Sequence, residues 1–232
     1  MDKKTIRVIT VDGADGCGKT TQLTQLKMKL ENAGIPVHNT RLLGGTKECD
    51  FQMACRKVLL HDKFPRNSVE LEEQLFSLTD MEGIRQMRAF LDEEPRGIAL
   101  KDRGLASHVV YALAKGMNMG QLTECHREVI QAEREINQEH GMLNIIMVPN
   151  EAGFPIERIK KRAESTGEEI VERLENVDNQ IRVIEALKSF KDYDIVQDMT
   201  IELIEIAEED SIQAVQAKVQ GVLGKYEIAG LS

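Results

Sequence analysis

The chain has 232 residues, 41% of them hydrophobic and 30% charged, which is ordinary for one or two globular domains and excludes disordered and collagen-like chains. Its 39 acidic and 30 basic residues give a formal net charge of −9, which argues against nucleic acid as the main partner. The longest apolar run is about as long as Ile145–Val148, far shorter than the ~20 residues of a membrane-spanning helix.

Apolar patterning predicts strands that alternate with helices. Thr5 to Val11 is rich in β-branched residues and predicts the first strand, and Thr20 to Ala33 predicts a helix that ends at Gly34. The other predicted strands are Ile35–Arg41, Ile98–Asp102, Leu143–Val148 and Ile201–Ile206. The other predicted helices are Asp50–Leu60, Val69–Leu91, Leu122–Glu139, Pro155–Ala163, Ile170–Phe190 and Ser211–Leu223. This order predicts one three-layer α/β/α domain over residues 1–232, with a five-stranded parallel sheet.

A phosphate-binding motif follows the first predicted strand. Residues 13–20, here called the phosphate loop, fit the pattern G-x-x-x-x-G-K-S/T and precede an amphipathic helix. Backbone N–H groups of such a loop cradle a phosphate, with Lys19 expected to bridge the β- and γ-phosphates of ATP and Thr20 to hold Mg²⁺. A glycine-rich turn that only caps a helix is the alternative. The residues expected around the nucleotide are Gly13, Ala14, Asp15, Gly16, Cys17, Gly18, Lys19, Thr20 and Thr21.

The motif identifies a nucleotide-binding fold without fixing the reaction. Asp80–Gly83 matches the D-x-x-G of GTPase switches, but it falls inside a helical pattern and no N-K-x-D motif follows. A kinase of small molecules explains the other signals better. Asp102 and Arg103 end the third predicted strand and Arg41 ends the second, at the sheet edge where α/β proteins bind ligands. Asp102 is expected to orient Mg²⁺ and Arg103 to clamp a second phosphate, although both types of group also occur as solvated surface ions.

A further basic cluster brackets the polar segment Glu164–Glu169. Its members are Arg158, Lys160, Lys161, Arg162 and Arg173. A polar segment flanked by arginines, about residues 158–173, suits a lid that closes over a transferring phosphoryl group. A salt-bridged, solvated helix face is the alternative.

Taken together, these motifs resemble those of the thymidylate kinase family of P-loop nucleoside-monophosphate kinases. Residues 11–22 resemble the family's opening, and residues 40–46, T-R-L-L-G-G-T, resemble T-R-E-P-G-G-T. Residues 74–76 resemble L-L-F, and Asp102-Arg103 with Ser107 and Tyr111 resembles D-R-Y-x-x-S-x-x-A-Y. Residues 172–176 with Gln180 resemble E-R-Y-E-N…Q. The resemblance implies a homodimeric kinase that uses ATP and Mg²⁺ on a small deoxynucleotide.

The resemblance also implies residue roles. Asp15 would bind the 3′-hydroxyl of the acceptor sugar, and Arg41 and Arg103 would hold the acceptor phosphate, with Ser107 in the same motif. Phe76 would stack on a pyrimidine, although its helical spacing fits a core residue equally well. Tyr111 would favour deoxyribose. Arg158, Arg162 and Arg173 would serve the lid and ATP. Because Gly16 and Cys17 stand in the loop where some members carry a catalytic arginine, that arginine would be Arg158 or Arg162.

Departures from the family pattern concern the acceptor side. Leu42-Leu43 replaces Glu-Pro, and Gly104 replaces the tyrosine after Asp-Arg. Asp80 stands four residues after Phe76, where the family's base-contacting arginine is usual; a register slip of one would place Met81 there. An aspartate accepts hydrogen bonds, so dCMP or a 5-hydroxymethyl pyrimidine nucleotide becomes an alternative to dTMP. His108 is interpreted as incidental.

Two other hypotheses stay open. A kinase of a nucleoside or hydroxymethyl hydroxyl could use Asp102 or Asp80 as a base, but two arginines suit an acceptor that already carries a phosphate. A regulator that binds nucleotide without catalysis would explain the departures, but the complete phosphate loop opposes it. The four cysteines form no CxxC pair and no histidine has zinc-finger spacing, so we expect free thiols, a reducing cytoplasm and no membrane partner.

Overall fold

The computed structural model describes residues 5–42, 49–60, 69–166 and 177–229. The strands are β1 Thr5–Ile6, β2 Val8–Gly13, β3 Val37–Arg41, β4 Ile98–Asp102, β5 Met142–Pro149, β6 Thr200–Ile206 and β7 Glu227–Ile228. The helices are α1 Lys19–Asn32, α2 Asp50–Leu60, α3 Val69–Glu93, α4 Leu105–Ala114, α5 Met119–Cys125, α6 Arg127–His140, α7 Gly153–Thr166, α8 Val177–Lys188 and α9 Ile212–Leu223. Within these ranges, none of the helices is both long and apolar enough to cross a bilayer.

The five longer strands form one parallel sheet in the order β3-β4-β2-β5-β6. Every residue of β2, β4 and β5 is buried, as expected for a parallel sheet covered on both faces. On one face Val8, Ala99 and Met142 pack with apolar residues of α3 and α6. Ile9, Leu100 and Leu143 belong to the larger cluster that includes α1 and α9. The predicted α/β class with a five-stranded parallel sheet is therefore confirmed.

The first predicted strand is split at Arg7. Its guanidinium donates to the backbone carbonyl oxygens of Leu91 at 2.8 Å and Glu94 at 2.6 Å, so this charged side chain interrupts the apolar run. Before it, β1 pairs with β7 in a separate two-stranded sheet, with Thr5 opposite Glu227. After it, β2 enters the centre of the main sheet.

Two helical segments differ from the sequence prediction. The helix predicted from Leu122 to Glu139 is two helices, α5 and α6, that meet at the fully buried His126. Helix α4 was not predicted because no local residue caps it; its N-terminal backbone is held by Asp12, which lies far away in sequence. Helix α7 continues through the first residues of the predicted polar interruption to Thr166, and residues 167–176 lie outside the described ranges.

Candidate active site

The carboxyl ends of three neighbouring strands bring the predicted cations to one edge of the sheet. Arg41 at the end of β3 is the register partner of Asp102 at the end of β4, and Val11 of β2 pairs with the same Asp102. The Nε atom of Arg41 lies 3.6 Å from an Asp102 carboxylate oxygen. Lys19, Arg41 and Arg103 thus share one rim, as their positions after successive strands predict.

The phosphate loop has a glycine-dependent conformation. Gly13, Gly16 and Gly18 have φ angles of 146°, 82° and 89°, which disfavour residues with a side chain. Lys19 Nζ donates to the Ala14 carbonyl oxygen at 2.8 Å, so the lysine side chain folds back across the phosphate loop. No described side chain caps the N-terminus of α1 at Gly18. Backbone N–H groups at this helix end are therefore available to a bound phosphate.

Replacing Gly16 with alanine is expected to impair both stability and ATP binding. Gly16 has a left-handed backbone conformation that alanine rarely adopts. In addition, an alanine Cβ would lie 2.4 Å from the Pro155 carbonyl oxygen at the start of α7. We expect a loss of about 1–2 kcal/mol from the backbone and about 1–3 kcal/mol more from the overlap. Gly116→Ala is the matched control, because Gly116 has φ 91° and open space around its Cβ position. Urea unfolding and ATP titration of both variants measure the difference; equal losses would contradict the packing of α7 on the loop.

Asp15, Arg103 and Tyr111 form the central cluster of the site. The Arg103 guanidinium donates to Asp15, and the Tyr111 hydroxyl donates to the other Asp15 oxygen at 2.8 Å. Burial opposes ionisation of Asp15, but Arg103 and Lys19 hold the pKa of this carboxyl well below its usual range. Arg103 also lies over the Tyr111 ring at 5.5 Å and is 3.5 Å from the Ser107 hydroxyl. These contacts fix the guanidinium in place beside the phosphate loop.

Thr20 and Asp102 fit a magnesium ion. The Thr20 hydroxyl donates to one Asp102 carboxylate oxygen at 3.1 Å. The other Asp102 oxygen is buried and has no hydrogen-bond partner among the described residues. Hydroxyl and carboxylate oxygens are the donor types that Mg²⁺ prefers. The two residues are therefore able to hold the Mg²⁺ that accompanies a nucleotide.

Sequence reasoning did not single out Asp12, which positions the start of α4. Its buried carboxylate accepts hydrogen bonds from the Gly104 N–H at 3.1 Å, the Ser107 N–H at 3.0 Å and the Ser107 hydroxyl at 2.6 Å. This joins the end of β2 to the segment that carries Arg103, Ser107 and Tyr111. The sequence feature that could have indicated this role is an acidic residue at the end of an apolar strand, directly before the phosphate loop.

Of the three arginines predicted to serve the lid, the structure describes the side chain of Arg158. Arg158 of α7 donates to the Glu208 carbonyl oxygen at 3.1 Å and lies over the Phe154 ring at 4.8 Å. Burial raises the pKa of Cys17 in the neighbouring loop to about 11, so this thiol stays protonated at neutral pH. The side chain of Arg162 and all of Arg173 lie outside the described residues, and their roles stay predictions.

On the base side, Asp80, which the sequence predicts to contact a nucleobase, is buried and ion-paired. Asp80 is 2% exposed. One of its oxygens accepts from Lys101 Nζ at 2.9 Å and lies 2.9 Å from His108 Nε2, and the other oxygen lies 2.8 Å from Lys101 Nζ. Asp80 thus differs from Asp15, which is also ion-paired but has a side chain that is 24% exposed. Phe76, in contrast, is half-buried, with Lys115 Nζ 5.0 Å from its ring centroid.

Comparison with known proteins gives sequence relatives over part of the chain and a fold match over nearly all of it. The chain is 30% identical over 122 residues to a thymidylate kinase of Pelotomaculum thermopropionicum, over 52% of this chain and 55% of the relative. It is 32% identical over 128 residues to a thymidylate kinase of Symbiobacterium thermophilum, over 54% of this chain and 58% of the relative. The crystal structure of thymidylate kinase from Ehrlichia chaffeensis matches with a TM-score of 0.63 and 20% identity, over 95% of this chain and 99% of that one.

The chain spans little more than half the length of these two curated relatives. No family model matches it. The structural match, at this low identity, concerns the fold, whereas the sequence matches carry the relationship. The resemblance to the thymidylate kinase family is thereby confirmed.

Proposed function

We propose that this relative of the thymidylate kinases is an ATP-dependent deoxynucleoside-monophosphate kinase, with dTMP as its acceptor. The observation that carries the proposal is the placement of positive charge on two sides of one loop. Lys19 lies inside the phosphate loop, whereas Arg41 and Arg103 lie at the adjoining strand ends. A protein that joins two phosphate-bearing substrates needs a cationic group for each of them.

On the donor side, the phosphate loop and Lys19 bind the β- and γ-phosphates of ATP. Thr20 and Asp102 hold the Mg²⁺. When bound, this ion neutralises phosphate charge and orients the phosphoryl group for in-line transfer. Lys19 exchanges its present bond to the Ala14 carbonyl for phosphate oxygens, which carry more negative charge. Lid residues 158–173, with Arg158 or Arg162, complete the charge neutralisation and exclude water.

On the acceptor side, Arg103 and Arg41 hold the acceptor phosphate in line with the γ-phosphorus of ATP. An oxygen of that phosphate attacks the γ-phosphorus, and the bond to the β-phosphate oxygen breaks to release ADP. The attacking oxygen is already ionised at neutral pH, so the chain needs no general base for this step. Asp15 accepts a hydrogen bond from the sugar 3′-hydroxyl, Tyr111 favours deoxyribose, and Phe76 stacks on the pyrimidine.

The burial of Asp80 supports dTMP as the acceptor in this proposal. The alternatives dCMP and 5-hydroxymethyl-dUMP depended on an aspartate beside the base, and Asp80 is occupied by Lys101 and His108. The alternative of a kinase that phosphorylates a nucleoside hydroxyl is weakened for the same reason, because Asp80 was one of its two candidate general bases, with Asp102. Sequence relatives that are thymidylate kinases support the same acceptor.

The experiment is ADP release from ATP and Mg²⁺ with single acceptors. The panel is dTMP, dUMP, dCMP, 5-hydroxymethyl-dUMP, dGMP, dAMP and thymidine. We expect the highest kcat/KM for dTMP, and Lys19→Met prepared in parallel excludes a contaminating kinase. Turnover of thymidine but of no monophosphate would remove the phosphate-binding roles of Arg41 and Arg103. ATP binding without turnover of any acceptor would support the regulator instead.

The remaining proposals concern assembly and location. We place the enzyme in the cytoplasm as a homodimer. Cys17, Cys49, Cys55 and Cys125 are free thiols, which suits a reducing compartment. Leu71 and Leu78 on α3 are 47% and 52% exposed and give this helix an apolar surface for a second copy.

A further inference from the structure

Helices α3 and α4 and the junction between α5 and α6 bring two histidines and a glutamate together in the protein interior, next to Phe76. Glu73 lies on α3, His108 on α4, and His126 at the junction of α5 and α6. Their exposed fractions are 1%, 2% and 0%, and one ligand-type atom of each lies within 4.8 Å of the others. We propose that these residues bind a divalent transition-metal ion of the Zn²⁺ type. This site is separate from the Mg²⁺ site and does not depend on the proposed kinase activity.

His108 presents an unused nitrogen inside this cluster. Its Nε2 lies 2.9 Å from a carboxylate oxygen of Asp80, and because that oxygen only accepts, Nε2 carries the proton. In the neutral imidazole, Nδ1 then has a lone pair. This atom is buried and has no hydrogen-bond partner among the described residues. An unpaired buried nitrogen costs free energy, and coordination of a metal ion removes that cost.

His126 presents a second lone pair through the hydrogen bonds of Ser77. The Ser77 hydroxyl lies 3.0 Å from the Cys125 carbonyl oxygen and 2.5 Å from His126 Nδ1, but it has a single proton. When the carbonyl receives that proton, Nδ1 is the donor and Nε2 is unprotonated. His126 Nε2 then faces a Glu73 carboxylate oxygen at 3.1 Å, so a nitrogen lone pair and an oxygen lone pair repel each other. A cation bound between these two atoms makes the contact favourable.

The outer contacts of the cluster match those of metal sites. Each coordinating histidine of a metal site commonly donates its other N–H to an oxygen acceptor. His108 has Asp80 as this acceptor, and His126 has Ser77 when the Ser77 proton goes to the Cys125 carbonyl. The second oxygen of Glu73 accepts from Lys115 Nζ at 2.7 Å, which fixes the orientation of the carboxylate. Two imidazoles and one carboxylate are a known zinc donor set, with a fourth position for water.

A bound ion would join α3, α4 and the α5–α6 junction on the inner side of Phe76. The Phe76 ring lies 6.5 Å from the His108 ring in an edge arrangement. Helix α4 also carries Ser107 and Tyr111. The ion would therefore position the base and sugar side of the active site without contacting a substrate.

Titration of the metal-free full chain with Co²⁺ and Zn²⁺, without nucleotide and with Mg²⁺ in excess, tests this proposal. We expect one tight equivalent that Mg²⁺ does not displace, and a Co²⁺ spectrum of a four-coordinate site without a sulfur charge-transfer band. His108→Gln and His126→Gln should each weaken Zn²⁺ binding at least 100-fold, and Ser77→Ala about 10-fold or more. His38→Gln and Cys125→Ser are the controls and should bind like the original chain.

Two results would overturn the proposal. One is unchanged Zn²⁺ affinity in both histidine variants, and the other is a sulfur charge-transfer band that Cys125→Ser removes. Should a histidine variant fail to fold, nitrogen NMR of the histidine rings in the original chain replaces it. Zn²⁺ must then shift His108 Nδ1 and His126 Nε2 but not the His38 ring; a spectrum with His126 Nε2 protonated and insensitive to Zn²⁺ would show a metal-free hydrogen-bond network instead.

Discussion

Lys101→Met is expected to lower the free energy of unfolding by about 3–5 kcal/mol, the largest stability loss that we predict for a single substitution here. Lys101 is fully buried, and its Nζ lies 2.8 Å from Asp80 and 2.6 Å from Glu133. Methionine fills a similar volume but leaves two buried carboxylates without their shared cation. Equilibrium urea unfolding of the original chain and the variant measures the loss.

A charge-free version of the same cluster is the control. The triple variant Lys101→Met, Asp80→Asn, Glu133→Gln keeps the shapes and removes the charges, so it should recover most of the lost stability. Equal instability of the single and triple variants would mean that packing, rather than unpaired charge, causes the loss.

Acidification should partly rescue Lys101→Met. Burial raises the pKa of Glu133, and Lys101 is the group that opposes this most. Without Lys101 the pKa of Glu133 rises further above its unfolded value. A carboxyl group with a higher pKa in the folded state binds more protons there, so stability increases as the pH falls. The urea midpoints of variant and original chain should therefore approach each other between about pH 7.5 and about pH 5.5, and a widening gap would contradict this assignment.

Local sequence patterns predicted the parts of the site that are built from contiguous residues. The phosphate loop needs glycines, a lysine and a hydroxyl at fixed spacing, and all of them lie in one segment between β2 and α1. Arg41, Asp102 and Arg103 were predictable because they end strands, and a parallel sheet aligns its strand ends. Helix α2 and strand β4 have the predicted bounds for the same reason, since their apolar patterns are local.

Contacts between distant segments account for what the sequence did not predict. Asp12 holds the start of α4 from 92 residues away, so no cap near Leu105 indicated that helix. Sequence reasoning placed Asp80 beside the base and did not single out Lys101. Only the fold shows that these two charges lie 2.8 Å apart in the interior. Glu73, His108 and His126 lack any metal-binding spacing in sequence because they come from α3, α4 and the α5–α6 junction. His126 also ends α5, where its burial, rather than a glycine or proline, separates two helices.

Arg103→Gly is expected to lower kcat/KM for dTMP by ~10³-fold, while the KM for ATP stays within about threefold, because Arg103 serves the acceptor phosphate. Glycine is the informative replacement. Arg103 has φ 71°, an unfavourable backbone conformation for a residue with a side chain, and glycine relieves this strain as it removes the guanidinium. The gain offsets part of the lost ion pair with Asp15, so the thermal midpoint should fall less than in Lys101→Met.

Arg41→Gln provides the comparison for this prediction. The Arg41 side chain is 47% exposed and lies 3.6 Å from Asp102, so it is held less firmly than Arg103 and its loss should cost only about tenfold in kcat/KM for dTMP. Steady-state kinetics with each substrate varied in turn separates the two sides of the site. Equal rises in the KM for ATP and for dTMP in Arg103→Gly would place this guanidinium between the two phosphates. A rise for ATP alone would move it to the donor side and leave Arg41 as the acceptor's arginine.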